Sequence, residues 1–445
     1  MTPPPELVPE LTGAVVTPFD SPHVAGSIAI PAGLSWLQKL LRFSGPGLLV
    51  SVGYMDPGNW ATDIEAGSRY GYALLFVVVL SSLAAIVLQT LSARLGIAAG
   101  VDLARGARDR YSPATTRLLW VLAEIAIVAC DIAEVLGSAL AIKLLFHLPL
   151  WLGIVLTGFD TLFVLGLQGR GFRRLEAIVL GLVLTIALCF AVQLAIVQPS
   201  LAAILPGLLP SATALREPHA LYLAVGILGA TVMPHNLYLH SSIVQTRVVA
   251  PDLVSKREAV RFATIDVVVA LLIASLVNAA ILIVAAATFN FSGHAGVADI
   301  EDAYRLLTPL TGAAIAAPLF AVALLASGQS ATFTGTIAGQ VILDGFLGLR
   351  IPGWMRRAIT RALAILPALG GVLWLGEHAI GKLLVLTQVV LSAQLPFAIY
   401  PLIRFTSDPA LMGPFANPLL LRLGAWLLFF LITLANLWLL LSILR

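Results

Sequence analysis

Two tetrapeptides 177 residues apart carry groups that could hold a cation inside a membrane: Asp56-Pro57-Gly58-Asn59 and Met233-Pro234-His235-Asn236. Each lies in the middle of an apolar stretch long enough to cross a bilayer. Proline has no N–H for the carbonyl four residues back, and its ring clashes there, so Pro57 frees the carbonyl of Gly53 and Pro234 frees that of Ala230. Both helices should therefore break at mid-membrane. In lipid such backbone survives only where it is buried in protein or lines a cavity that supplies new partners. Asp56 supplies a carboxylate, which at mid-membrane costs from roughly 3 to above 10 kcal/mol unless a cation compensates it. The same carboxylate can also cap the second half of the broken helix. Asn59 offers an amide oxygen one turn later on the same face. Met233 discriminates among cations, because a thioether is a poor ligand for magnesium or calcium and an acceptable one for transition metals.

A second set of residues reads as a proton path. Glu124, Asp131 and Glu134 lie in the third apolar span at offsets of seven and three, which puts the three carboxyls along one helical face. Such a row is a proton relay or a salt-bridge network to an inward-facing arginine, and Arg361, one turn inside the ninth span, is the natural partner. His235 and His240 carry the only side-chain type that titrates near neutral pH when unperturbed. His235 is placed on the pathway or its gate, and His240 is a hydrogen-bonded core residue. Two positive charges arriving beside Asp56 would expel its proton, and Asp131 is the nearest acidic acceptor. The seven histidines form no HExxH and two cysteines cannot build a thiolate site. No nucleophile with a base is found, so an enzyme is not expected. Cys130 and Cys189 are expected as small packing residues.

The elements that must position these groups follow from composition. Of 445 residues 59% are hydrophobic and 11% charged, with mean hydropathy +0.97, values that exclude an ordinary soluble protein and indicate an all-α polytopic membrane protein. Eleven candidate spans lie near residues 46–70, 72–95, 118–146, 148–168, 175–198, 220–246, 262–288, 312–344, 356–375, 381–404 and 421–444. Of the 26 lysines and arginines, 20 fall on the side shared by the N-terminus and the even-numbered connections and 6 on the other. That bias predicts a cytoplasmic N-terminus and, with an odd number of spans, an extracytoplasmic C-terminus. No basic patch interleaved with aromatics suggests nucleic acid. Residues 1–43, opening on Pro3, Pro4 and Pro5, read as a flexible cytoplasmic tail without a signal peptide. The two broken spans are the first and the sixth, so halves at 44–200 and 218–405 should run in opposite directions as an inverted repeat, with 420–445 as an additional helix. In that repeat Gly53 matches Ala230, Asp56 matches Met233, and Asn59 matches Asn236.

With the stretch Gly328-Gln329-Ser330-Ala331-Thr332 through Gly335-Thr336-Ile337-Ala338-Gly339-Gln340 in the eighth span, the two proline motifs make a chain that resembles the Nramp family of proton-coupled divalent-metal transporters. The resemblance covers roughly residues 45–405. It implies a leucine-transporter-type fold of five plus five helices with unwound first and sixth helices, alternating access, and import of manganese or ferrous iron with protons across the inner or plasma membrane of a prokaryote. It further implies that the Ala230 and Gly53 carbonyls join Asp56, Asn59 and Met233 at the metal, that Gln388 approaches during occlusion, and that Asp131 links to Arg361. The metal is cargo, no cofactor is expected, and nothing requires more than a monomer. The Gly328–Gln340 stretch reads as a close-packing seam. Two other readings remain: a Nramp-related magnesium carrier, against which Met233 argues, and an organic-solute transporter on the same fold, whose anionic cargo Asp56 would repel.

Overall fold

The computed structural model describes residues 28, 30, 33–168, 172–211, 216–349, 351–376 and 380–443. Among these the chain is helical: α1 (Trp36–Phe43), α2 (Pro46–Ser51), α3 (Pro57–Tyr70), α4 (Leu75–Ala99), α5 (Leu103–Arg110), α6 (Pro113–Phe146), α7 (Leu150–Gln168), α8 (Phe172–Val197), α9 (Leu201–Ile204), α10 (Pro218–Val232), α11 (Pro234–Ile243), α12 (Leu253–Ala285), α13 (Ile300–Thr311), α14 (Ala316–Leu347), α15 (Gly353–Leu375), α16 (Ile380–Thr406), α17 (Pro409–Met412) and α18 (Leu419–Ile443). Nine stretches of helix among the described residues are long and apolar enough to span a membrane. The shorter apolar segments Pro46–Met55 and Leu150–Phe159 mark the first and fourth expected spans, which completes the eleven.

Both predicted breaks are present. After α2 the chain tightens into a 3₁₀ turn, Val52–Met55, and Asp56 adopts an extended conformation before Pro57 starts α3. Between α10 and α11 the break falls on Met233, whose φ of 43° is left-handed, a conformation costly for a side chain with a Cβ. Proline occupies the first position of both following helices, where its missing N–H is no loss.

The spans that follow the two broken ones, α4 and α12, pack against each other, and α12 also lies along α3 while α4 contacts both α10 and α11. On the other side α6 and α14 form a long seam. Its close approach rests on small residues: a Cβ at Gly328 would collide with Ser138, and one at Gly335 would lie 2.8 Å from Glu134 Oε1. The Gly328–Gln340 stretch is thus a packing seam, and it brings α14 directly onto the carboxylate row of α6. Helix α18 is largely exposed laterally, as expected of a helix outside the repeat that faces lipid.

Residues 1–27 of the expected flexible tail lie outside the described residues, but its last part is structured. Ser35 and Gln38 form a reciprocal capping box at the start of α1. The helix docks on α12 through Phe43 stacked on Phe262 at 5.5 Å and Lys39 paired with Glu258 at 2.6 Å. Further back, Ile28 exchanges backbone hydrogen bonds of 2.9 Å with Thr246 and Val248. Aromatic and backbone partners on the second half of the chain order a stretch that in isolation reads as tail.

Candidate metal centre

The two breaks meet. The side-chain nitrogen of Asn59 donates to Asp56 Oδ1 at 2.7 Å, to the Gly53 carbonyl at 3.1 Å and to the Ala230 carbonyl at 3.0 Å. The carbonyls freed by Pro57 and Pro234, 177 residues apart in sequence, therefore aim at one point, which the Asp56 carboxylate also faces. Asp56 Oδ1 accepts the Asn59 backbone N–H at 2.8 Å and so caps α3, while Oδ2 is buried with no hydrogen-bond partner among the described residues. One oxygen of the carboxylate thus caps α3 and faces the convergence point, and the other is left over.

Met233 closes the other side. Its sulfur accepts from Asn236 Nδ2 at 3.6 Å and lies against Gly53, where a Cβ would be only 2.6 Å from it. Gly53 is therefore required by close approach. Gln388 of α16 lies over Gly58, whose added Cβ would overlap its side-chain amide, and its oxygen has no hydrogen-bond partner among the described residues. Asp56, Asn59, Ala230, Met233 and Gln388 are each at most 1% exposed. Among the described residues there is no cluster of three or more His, Cys, Asp or Glu that could hold a metal. A site here uses one carboxylate with amides, carbonyls and a thioether.

One orientation differs from the expectation. Asn59 turns its nitrogen, not its oxygen, toward the convergence point, and its oxygen accepts from Asn278 Nδ2 at 3.0 Å. The reason is complementary hydrogen bonding: three oxygens aimed at one buried point require a positive or hydrogen-donating partner, and the amide NH2 is one. Asn278 of α12 was not singled out from the sequence, although a lone amide in an apolar run was a visible signal. Asn236, visible through the repeat, lies beside Met233, and among the described residues its oxygen has no partner.

The residues expected on a proton path lie on α6, α11 and α15. Glu134 lies 3.8 Å from Arg361, and Arg361 also donates to the Thr157 carbonyl at 3.2 Å. The link of Asp131 to Arg361 implied by the resemblance is thus replaced by Glu134, which lies one turn further along α6, level with Thr157 of α7. Asp131 and Glu134 both face Gly335 of α14. Glu124 pairs with Arg356 at 2.8 Å and accepts from Trp120. Cys130, expected only to pack, sits between Glu134 Oε1 at 3.5 Å and His235 Nε2 at 3.8 Å, and so joins the row to the helix that begins at Pro234. His240 hydrogen-bonds to Gln89 at 3.1 Å, as a core histidine should.

Two polar clusters whose partnership sequence spacing does not reveal tie the elements on either side of the site. At one end Arg247 donates to Glu176 at 2.7 Å and to the Ser44 carbonyl at 2.7 Å, while Arg173 holds the carbonyls of Leu41 and Arg42. Asp266 accepts the N–H groups of Gly45 and Gly47, anchoring the start of α2. At the other end His219 and Glu65 meet at 2.8 Å, and Tyr70 donates to Glu217 at 2.9 Å, tying α3 to the start of α10.

Comparison with known proteins shows what the chain is similar to. The chain is 62% identical over 432 residues to the divalent metal cation transporter MntH of Ralstonia nicotianae, covering 97% of this chain and 98% of that one. It is 62% identical over 430 residues to MntH 1 of Pseudomonas aeruginosa, again with 97% and 98% covered. The crystal structure of a manganese transporter from Eremococcus coleocola superposes with a TM-score of 0.86 at 40% identity, covering 94% of this chain and 89% of that one. The crystal structure of MhsT in complex with L-phenylalanine superposes with a TM-score of 0.60 at 16% identity, covering 89% of this chain and 98% of that one, a likeness of fold alone. Together with the Eremococcus structure it supports the expected fold class. The family model described as natural resistance-associated macrophage protein-like, or Nramp, matches residues 47–442, and the chain belongs to that family of integral membrane transporters.

Proposed function

We propose that this protein imports divalent transition-metal ions, manganese and ferrous iron first among them, through the site between its two broken helices, and that protons travel with the metal. The observation that carries the reading is the convergence of Asp56 Oδ1 with the Gly53 and Ala230 carbonyls on one buried point. The Met233 sulfur beside Gly53 supports a cation softer than magnesium. Relatives named as divalent metal cation and manganese transporters support the same cargo.

In this reading the arriving ion takes the position of the Asn59 amide nitrogen, and Asn59 turns its oxygen inward. Asp56, the two carbonyls, Asn59 and Met233 then surround it, with Gln388 approaching over Gly58. The ion is exposed to one side or the other when the Arg247–Glu176 clasp or the His219–Glu65 clasp opens, which is alternating access by movement of half-helices. The positive-inside bias puts the first clasp and the N-terminus in the cytoplasm of a prokaryotic cell and the C-terminus outside. The proton passes to the carboxylates of α6, where Asp131, Glu134 and Arg361 supply a charged route through an otherwise apolar bundle. The protein works as a monomer.

The test is manganese uptake into proteoliposomes with internal pH recorded in parallel and excess calcium or magnesium present. Saturable uptake with acidification, indifferent to the hard ions, is the expected result. Strong competition by magnesium, or no metal uptake, would overturn the reading.

A further inference from the structure

Asp63 has no role in the site described above, yet it is fully buried, and among the described residues neither of its oxygens has a hydrogen-bond partner and no lysine or arginine forms an ion pair with it. A carboxyl group so placed within a membrane helix must be neutralised, by a cation or by a proton. Its position is fixed by its neighbours on α3. Asn59, four residues before it, accepts from Asn278 of α12, and Gly67, four residues after it, packs on Leu282, Ala285 and Ala286 of the same helix. Residues four apart share a helix face. Asp63 therefore lies on the face turned to α12, between the levels of Asn278 and Leu282, and about 10 Å beyond Asp56 along the axis. The oxygen of Asn278 is also buried without a partner, as is Oδ2 of Asp56. Four buried acceptor oxygens are thus left unmatched along one stripe of α3 and α12.

We propose that Asp63 is a second cation-binding residue, an outer station with hard oxygen donors that takes the divalent ion before Asp56 and supplies the second negative charge that neutralises it. It rests on the proposed function. A dication between the two carboxylates makes a neutral set, whereas Asp56 alone leaves one positive charge buried. Asn278, which donates to the Asn59 oxygen and has its own oxygen unmatched among the described residues, lies between the two stations. Because the thioether is absent from the outer station, this station does not discriminate, and selection falls to Met233.

The test is calorimetric titration of manganese into the purified full-length protein, with uptake KM measured in proteoliposomes, for the native chain, D63N, D63E and D56N. A unit charge about 10 Å from a dication changes its Kd by about fourfold to about two-hundredfold for effective dielectrics between those of water and a protein interior. D63N should weaken binding within that range and raise KM in parallel, D63E should restore both, and D56N should abolish binding. The isosteric amide removes no hydrogen bond that Asp63 makes, so D63N should elute as the native protein does; D63S, read the same way, serves if it does not. Native Kd and KM in D63N would overturn the proposal, as would an unchanged Kd with an altered proton-to-metal ratio, which would make Asp63 a proton carrier. Absence of manganese binding by the native chain would instead strike the proposed function itself.

Discussion

Gly53→Ala is the sharpest probe of the thioether argument, because it perturbs Met233 without touching its chemistry. The added Cβ would lie 2.6 Å from the Met233 sulfur and would also crowd the Asn236 amide, whereas ordinary contact begins near 3.4 Å. The sulfur must therefore retreat by about 0.8 Å or the 3₁₀ turn must shift, since both sides are fully buried and the interior is close-packed. Overpacking of this kind costs about 1–3 kcal/mol. If that cost falls on the metal-bound arrangement, in which Met233 must advance, it corresponds to a loss of about fivefold to about 150-fold in manganese affinity. Magnesium and calcium, which gain little from sulfur, should lose less. The assay is calorimetric binding of manganese and calcium to G53A beside M233A, with manganese uptake in the presence of excess calcium. Both variants should narrow the gap between manganese and calcium. Native discrimination in G53A together with native discrimination in M233A would refute the claim that the thioether selects the cation.

D56A should abolish manganese uptake while the protein remains folded and monodisperse, since the cap it loses is worth about 1 kcal/mol; residual saturable uptake would show that the carboxylate is not the anchor. R247A leaves Glu176 buried beside α2 with no guanidinium from that side, a change of about 3–5 kcal/mol in the buried pair. It should raise the reactivity of a cysteine replacing the fully buried Ser51 at the end of α2 toward a cytoplasmic thiol reagent, and unchanged labelling would show that the clasp does not hold α2. E134Q should leave manganese uptake measurable but diminish the accompanying acidification, because the Arg361 side of the relay loses its charge partner; full acidification would remove Glu134 from the proton route. E124Q, which keeps one acceptor for Arg356 and Trp120, should change uptake by less than E134Q does in the same assay.

Sequence alone determined where the helices break and which groups the breaks expose, because a missing N–H and a ring clash at proline act within four residues. Hydropathy fixed the number of spans, and the offset of two like motifs disclosed the repeat, so Asp56, Met233, Gly53 and Ala230 were legible before any contact was known. What tertiary structure decided is how far-apart residues share a point. The Asn59 amide faces the two freed carbonyls with its nitrogen, because its oxygen is taken by Asn278 from a helix more than 200 residues away. Arg361 reaches Glu134, because the level of Thr157 on α7 places it there. Arg247, Glu176 and Asp266 clamp α2 from three separate helical regions, and α1 is ordered by stacking on Phe262. Local sterics are written in neighbouring residues. The pairing of buried charges and amides is a property of which helices lie side by side, and only the packed bundle specifies it.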